Sequence, residues 1–327
     1  MNISEIAKLA GVSPSAVSRY LNNGYLSAEK KEAIRKVIEE TGYRPLVQAQ
    51  ILRTRKTKTI GVVLPKIDSF SISSVVAGID SVLERKDYQL LLADTHNDPV
   101  RELRYLDTFD DQRVDGVILL GTVFTPKHIA CLKKSRVPIV IAGQQLSKAF
   151  CVYHDDYHAF YDMTKLVLNK GCRRLAYMGA LPQDKAVGQE RTRAYQDAVR
   201  DAGLEDQAGH MAVADFTMAS GQETARQLWE TYGPLDALIC ATDNMAVGAL
   251  RFFQSRGIRV PEDVLLTGQG ASSISEVASP TITSIRYFYE ESGANAASLL
   301  LERLEDPALP AKEVKLSYTI VERESTL

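Results

Sequence analysis

Apolar positions in the first 45 residues recur every three or four places: Ile6, Leu9 and Ala10, then Val17 and Leu21, then Ala33, Ile34, Val37 and Ile38. That is the spacing of short amphipathic helices. Asn2 followed by Glu5 is a capping pair for the first, and Gly11 supplies the left-handed residue that ends it. Ser13 suits the N-cap of the second, with Pro14 at a first helical position whose missing N–H has no partner in any case. Ser27 caps a third helix that ends before Gly42. Three short helices with a glycine turn between the first two predict an all-α helix-turn-helix unit over residues 1–45.

After a stretch without an apolar period (46–58), the pattern becomes short β-branched runs alternating with helical ones. Strands are predicted at Ile60–Leu64, Gln89–Ala93, Gly116–Leu120, Ile139–Ala142, Leu175–Met178, Ala237–Cys240 and Val264–Thr267. Helices are predicted near 72–86, 99–111, 126–135, 157–170, 188–202, 217–232 and 243–256. Continuous apolar strands separated by amphipathic helices imply doubly wound parallel sheets of the α/β class, covered on both faces. The pattern restarts after about residue 157, so 59–327 divides into two similar lobes facing a cleft, and in such sheets ligands lie beyond the carboxyl ends of the strands.

Charge sharpens the division. The chain has 327 residues and a net charge of −2, but the first 59 residues carry +6 and the remainder −8. A basic head on an acidic body points to nucleic acid as the head's partner. Apolar residues at 45% and charged residues at 24% fit a soluble globular chain, and no apolar run long enough to span a bilayer or to start an export signal is present. Cys131, Cys151, Cys172 and Cys240 are widely spaced, which implies free thiols in a reducing cytoplasm, and the lack of an apolar span implies no membrane insertion.

In a helix-turn-helix the second helix reads the major groove from its N-terminal end. Here that end offers Pro14 and Ser15 to base edges and Arg19 for a bidentate guanine contact, with Ser13, Ser18 and Asn22 for phosphates. The linker carries Leu52, which fits an apolar wedge in a minor groove or else part of a charged tether. Tyr43 and Ala49 complete the DNA-facing candidates.

The strand ends gather the candidates of the cleft. Lys66, Asp68, Ser69, Phe70 and Ser71 follow the first strand, Asp184, Lys185 and Arg191 follow the 175–178 strand, and Asp243 and Asn244 follow the 237–240 strand. Carboxylates, amides and hydroxyls suit sugar hydroxyls, and Lys66, Lys185 and Arg191 suit an anion such as a phosphate. Asp68, Ser69, Asp243 and Asn244 serve equally as N-caps, and Arg191 as a solvated helix cation. No phosphate loop, dinucleotide loop, nucleophile elbow or zinc-protease helix occurs. His154 and His158 lie close to Asp155 and Asp156, but no distant ligand completes a metal set, and no cofactor is implied.

The run Ile6-Ala7-Lys8-Leu9-Ala10-Gly11-Val12-Ser13, then Val17-Ser18-Arg19, Leu21-Asn22 and Gly42-Tyr43-x-Pro45, resembles the start of the LacI/GalR family of bacterial transcription regulators. The likeness continues through Asp115-Gly116-Val117-Ile118, Asp155-Asp156, Cys240-Ala241-Thr242-Asp243 and Val260-Pro261-Glu262-Asp263. It implies a homodimeric repressor binding a palindromic operator, with a helix-turn-helix at 1–45, a hinge helix and linker at 46–58, and a periplasmic-binding-protein-like core at 59–327. The core's first lobe would span about 59–157 and 287–313, its second about 158–286 and 314–327. Detail is greatest toward members answering to trehalose 6-phosphate, in Asp68-Ser69-x-Ser71, Tyr177-Met178-Gly179 and Arg191-x-x-Ala194-Tyr195. That resemblance implies effector contacts at Lys66, Asp68 to Ile72, Gly121, Asp184 to Val187, Arg191, Asn244 and Tyr289. Two departures bear on the ligand. Gly270 stands where sugar-responsive members carry an Asp, and Gly143-Gln144 stands where a phosphate-binding arginine is expected. Another sugar, a sugar phosphate or a nucleobase is the alternative effector; a free-standing sugar receptor or an enzyme is the alternative function.

Overall fold

The computed structural model describes residues 1–21, 24–43, 56–112 and 114–327 and divides into two compact units, 1–57 and 58–327. Asn22, Ala49, Leu52 and nearly all of the 46–58 linker lie outside the described residues.

The first unit is three helices, α1 (Ile3–Leu9), α2 (Pro14–Leu21) and α3 (Ala28–Thr41). The capping pair forms as expected: Glu5 N–H donates to Asn2 Oδ1 at 3.0 Å and Asn2 N–H to Glu5 Oε2 at 3.0 Å. Gly11 turns the chain at φ +64°. Ser13 Oγ accepts the Ala16 N–H at 3.3 Å. Ser27 holds the N-cap position of α3, but its hydroxyl caps nothing. Ile6, Ala7, Ala16, Val17 and Ile34 form the core of this unit. Leu9 departs from the predicted stripe and is 61% exposed, because Ala7 rather than Leu9 shares the inward face with Ile6.

The second unit contains two lobes. Its elements in order are β1 (Thr59–Leu64), α4 (Phe70–Glu84), β2 (Gln89–Asp94), α5 (Pro99–Asp111), β3 (Gly116–Leu119), α6 (Pro126–Lys134), β4 (Ile139–Ala142), β5 (Phe150–His154), α7 (Asp156–Asn169) and β6 (Leu175–Gly179). A π-helical turn (Lys185–Glu190) then leads into α8 (Arg191–Asp201), β7 (Met211–Val213), α9 (Met218–Tyr232), β8 (Ala237–Cys240), α10 (Asp243–Ser255) and β9 (Leu265–Gln269). The chain ends through α11 (Ser273–Val277), β10 (Thr283–Tyr287), α12 (Tyr289–Glu305), β11 (Glu313–Leu316) and β12 (Tyr318–Val321). Among the described residues the strands form two six-stranded sheets, ordered β11-β5-β4-β3-β1-β2 and β12-β10-β9-β8-β6-β7.

All pairings are parallel except β10 with β12, where Ser284 faces Val321 and Tyr287 faces Tyr318. The expectation of wholly parallel sheets is corrected at that edge, since the chain returns there after its last crossing between lobes and has no room for a helical crossover. The lobe boundaries shift for a related reason. Val314 to Leu316 pair with Val152 to His154 and belong to the first lobe, while Tyr287 belongs to the second. The chain therefore crosses between lobes just after His154, Tyr287 and Leu316. Helices α4 and α12 cross so closely that a Cβ on Gly78 would lie 1.8 Å from the Glu290 carbonyl oxygen, and one on Gly293 1.9 Å from that of Val75. This crossing sets the N-termini of the two helices side by side at the cleft.

Candidate functional site

In the helix-turn-helix unit Pro14, Ser15 and Arg19 are exposed along one face of α2, and Ser13 is exposed just before it. Arg19 Nε donates to its own helix at the Ser15 carbonyl, 3.4 Å, and Ser13 and Ser15 hydroxyls meet at 2.9 Å. Ser18 is half-buried, and Tyr43 packs against the three-helix core rather than standing free. Ser13, Pro14 and Ser15 at the start of α2, with Arg19 in its last turn, make an exposed surface that can meet base edges and phosphates.

In the second unit the strand-end loops of both lobes enclose a cavity of about 500 Å³. The first lobe contributes Lys66, Asp68, Ser69, Phe70, Ser71, Gly121 and Gln144, and the second Asp184, Arg191, Asp243 and Asn244, with Tyr289 at a crossing. One expected residue is turned away. Lys185 is exposed, outside the wall, between its buried neighbours Asp184 and Ala186, with Nζ donating to the Gln145 carbonyl and side chain at 3.4 Å each.

Arg191 is 5% exposed and forms the floor. Its Nε donates to Asp156 Oδ1 at 2.7 Å, and its Nη1 donates to the Ala241 carbonyl at 2.8 Å and to Gln269 Oε1 at 3.1 Å. Gln269 Nε2 donates onward to the Tyr289 hydroxyl at 2.5 Å, and Tyr287 donates to Asp156 Oδ1 at 3.0 Å. Burial acts against the guanidinium's charge, but the Asp156 carboxylate overcomes it and holds the pKa above its ordinary value. Burial pushes the Tyr289 phenol up to about 12, so it stays protonated as a donor. The expectation that Arg191 is a solvated helix cation does not hold.

Asp243 is corrected in the opposite sense. Its Oδ2 accepts the Ser272 N–H and hydroxyl, both at 2.7 Å, and its Oδ1 accepts the Ser284 hydroxyl at 2.5 Å. Its carboxylate fastens the loop after β9 instead of offering itself to a ligand. Asn244 is exposed on the wall with Nδ2 donating to the Phe216 carbonyl at 3.3 Å. Asp184 is buried, which raises its carboxyl pKa, while Val187 N–H and the Gln144 amide pull it back. Lys66 Nζ stands 3.7 Å from Asp68 Oδ1, with Asp68 78% exposed at the mouth. Ser69 and Ser71 hydroxyls meet at 3.0 Å, and the Phe70 ring meets Tyr289 edge-on at 6.4 Å.

Asp156, Gln269, Tyr287, Phe216 and His154 also line the cavity and were not among the expected contacts. His154 stacks on Tyr287 at 4.6 Å, with its imidazole pKa lowered by burial. His158 instead bonds Asp155 at 2.8 Å, outside the cavity. Among the described residues no cluster of three or more metal-ligating side chains occurs, and no helix is long and apolar enough to cross a membrane.

Residues 2–45 match the model of bacterial regulatory proteins of the lacI family, and residues 164–326 match that of the periplasmic binding protein-like domain. The sucrose operon repressor of Staphylococcus xylosus is 30% identical over 304 residues, 93% of this chain and 94% of that protein. This chain belongs to the LacI family of bacterial transcription regulators. As a LacI-family protein it is a DNA-binding regulator and not an enzyme. The regulator CelR of Thermobifida fusca is 31% identical over 330 residues, 98% of this chain and 96% of that protein. Among solved structures, a transcriptional regulator CelR–cellobiose complex is similar at 28% identity and TM-score 0.77, covering 99% of each chain. The lac repressor dimer bound to operator and the anti-inducer ONPF matches in fold, with TM-score 0.91 at 21% identity over 100% of this chain and 99% of that one.

Proposed function

We propose that this LacI-family regulator is a homodimeric, cytoplasmic repressor of a carbohydrate operon, and that a disaccharide bound between its lobes releases it from a palindromic operator. The observation that carries the reading is the cavity of about 500 Å³ floored by the Asp156–Arg191–Gln269–Tyr289 chain, since that size and those donors and acceptors suit a small polyhydroxylated ligand. The relative named for a sucrose operon and the structure named for a cellobiose complex support the disaccharide class.

An uncharged disaccharide is favoured over a phosphorylated one. Two cations of the wall, Lys66 and Arg191, face four carboxylates, Asp68, Asp156, Asp184 and Asp243, and Arg191 is already paired. Trehalose 6-phosphate is the second reading, favoured by Lys66, whose partner Asp68 is distant and mostly solvated. Exposed Leu91 and Leu92 on edge strand β2 and Val213 on edge strand β7 support pairing with a second copy.

Calorimetric titration of the full chain with trehalose, sucrose, cellobiose, trehalose 6-phosphate, gluconate and hypoxanthine tests the effector. Selection of bound DNA from a random pool tests the operator. We expect a symmetric consensus whose binding weakens when a disaccharide is added. A pool with no enrichment, or enrichment indifferent to every compound, overturns the reading.

A further inference from the structure

One buried side chain bridges the two lobes at the cavity wall, next to the exposed contact of Lys185 with Gln145. Gln144, 3% exposed, follows β4 in the first lobe. Its Nε2 donates to the Thr122 carbonyl of its own lobe at 3.2 Å and to Asp184 Oδ1 of the other lobe at 2.7 Å. Its Oε1 accepts the Ala186 N–H, again from the other lobe, at 3.3 Å. Both hydrogens of the amide and its oxygen are thus engaged, so Gln144 has no donor left for a ligand in this arrangement.

The acceptor it grips has a second duty. Asp184 Oδ1 also takes the Val187 N–H at 2.9 Å, which makes Asp184 the N-cap of the π-helical turn Lys185–Glu190, and the residue after that turn is Arg191. Single π turns are rare and recur at functional sites, because they shift the angular position of everything that follows. We propose that Gln144 is a positioning residue: a strut that holds the lobes at the separation in which the cavity accepts its effector, and that steadies, through Asp184, the turn presenting Arg191. This rests on the effector-gated reading above. Without the strut the lobes spread, the binding-competent state becomes a fraction of the population, and every ligand of the cavity weakens by that same fraction.

The test uses the full chain and Gln144→Leu, which keeps bulk and removes the bonds. Hydrogen exchange at the Ala186 amide and calorimetric Kd values for trehalose, sucrose, cellobiose and trehalose 6-phosphate are compared with wild type. We expect protection of Ala186 to fall about tenfold and each measurable Kd to rise by one common factor, also about tenfold. Gln144→Glu sets a carboxylate against Asp184 and has the same effect, while Gln144→Glu with Asp184→Asn reverses donor and acceptor and recovers the exchange protection. If Gln144→Leu does not fold, that second pair reads the same signal. Unchanged exchange at Ala186 overturns the strut, and so does a Kd change confined to one sugar, which marks a ligand contact instead. If wild type binds none of the sugars, the effector reading fails while Ala186 exchange still decides the strut.

Discussion

Arg191 Nε lies 2.7 Å from Asp156 Oδ1 with both side chains 6% exposed, so the floor of the cleft is a buried ion pair. Asp156 sits where the chain first enters the second lobe, and Arg191 reaches through Gln269 to Tyr289, where the chain has re-entered the first. One network therefore touches two of the three crossings, and a ligand that bonds to any member acts on the hinge directly.

Breaking such a pair leaves one uncompensated buried charge, which typically costs about 3–5 kcal/mol. Arg191→Ala is expected to lose that much stability and to lose effector binding, while the helix-turn-helix unit, which has its own core, keeps its operator contacts. Asp156→Leu combined with Arg191→Met removes both charges and is expected to cost much less than the sum of the single variants. Urea unfolding of the cycle decides it: additive losses show that the charges do not depend on each other.

Arg19 is exposed in the last turn of α2 with its Nε on the Ser15 carbonyl, so its outer nitrogens can reach a guanine edge. Arg19→Ala is expected to weaken binding to the selected operator by about 1–3 kcal/mol and binding to scrambled DNA far less. Fluorescence anisotropy at one fixed salt concentration measures both, and equal losses show a phosphate contact.

The Glu102–His128 pair in the first lobe predicts a pH effect. Glu102 Oε1 and His128 Nε2 lie 3.2 Å apart with almost no exposure, burial pushes the carboxyl up to about 7, and burial lowers the imidazole. Thr125 Oγ1 bonds His128 Nδ1 at 2.7 Å, and the Phe124 ring meets the imidazole edge-on at 6.4 Å. A carboxyl whose folded pKa is raised contributes stability below the unfolded pKa of 4.5 and loses it as pH rises through about 7. The lowered imidazole works the other way, gaining stability as pH rises to its ordinary value of 6.5. Glu102→Gln keeps the shape without the titration, so its stability relative to wild type is expected to improve between pH 5 and pH 8 by on the order of 1–3 kcal/mol. Urea midpoints at the two pH values measure it, and a constant difference removes Glu102 from the pH response.

The head was legible because its signals are local: Asn2 with Glu5, Gly11, and Pro14 after Ser13 each act within one turn. Leu9 misled because a period of three or four fits two adjacent faces. In the core, strands with unbroken apolar runs were readable, whereas β11 and β12 alternate half-buried with exposed residues and β10 carries Arg286, so they lack that signature. The site was readable where residues directly follow a strand. Tyr287 and Gln269 lie within strands, and their place at the cleft depends on crossings that only the assembled lobes define. Lys185 misled because its place after a strand does not fix its direction: it lies exposed between buried Asp184 and Ala186, with its ammonium on Gln145.

The crossing of α4 and α12 yields a prediction that joins packing to the site. A Cβ on Gly78 would meet the Glu290 carbonyl oxygen at 1.8 Å, and backbone cannot yield as a side chain can. Gly78→Ala must push the helices apart, and these helices begin at Phe70 and Tyr289, whose rings meet at 6.4 Å on the cavity wall. The variant is expected to lose about 1–3 kcal/mol of stability from overpacking and to bind the effector more weakly. Gly293→Ala collides with the Val75 carbonyl in the same crossing, so once one substitution has separated the helices the second has little left to displace. The double variant is therefore expected to lose clearly less than the sum of the single losses. Losses that add in urea unfolding, or a double variant with wild-type sugar affinity, refute the idea that this contact sets the wall of the cleft.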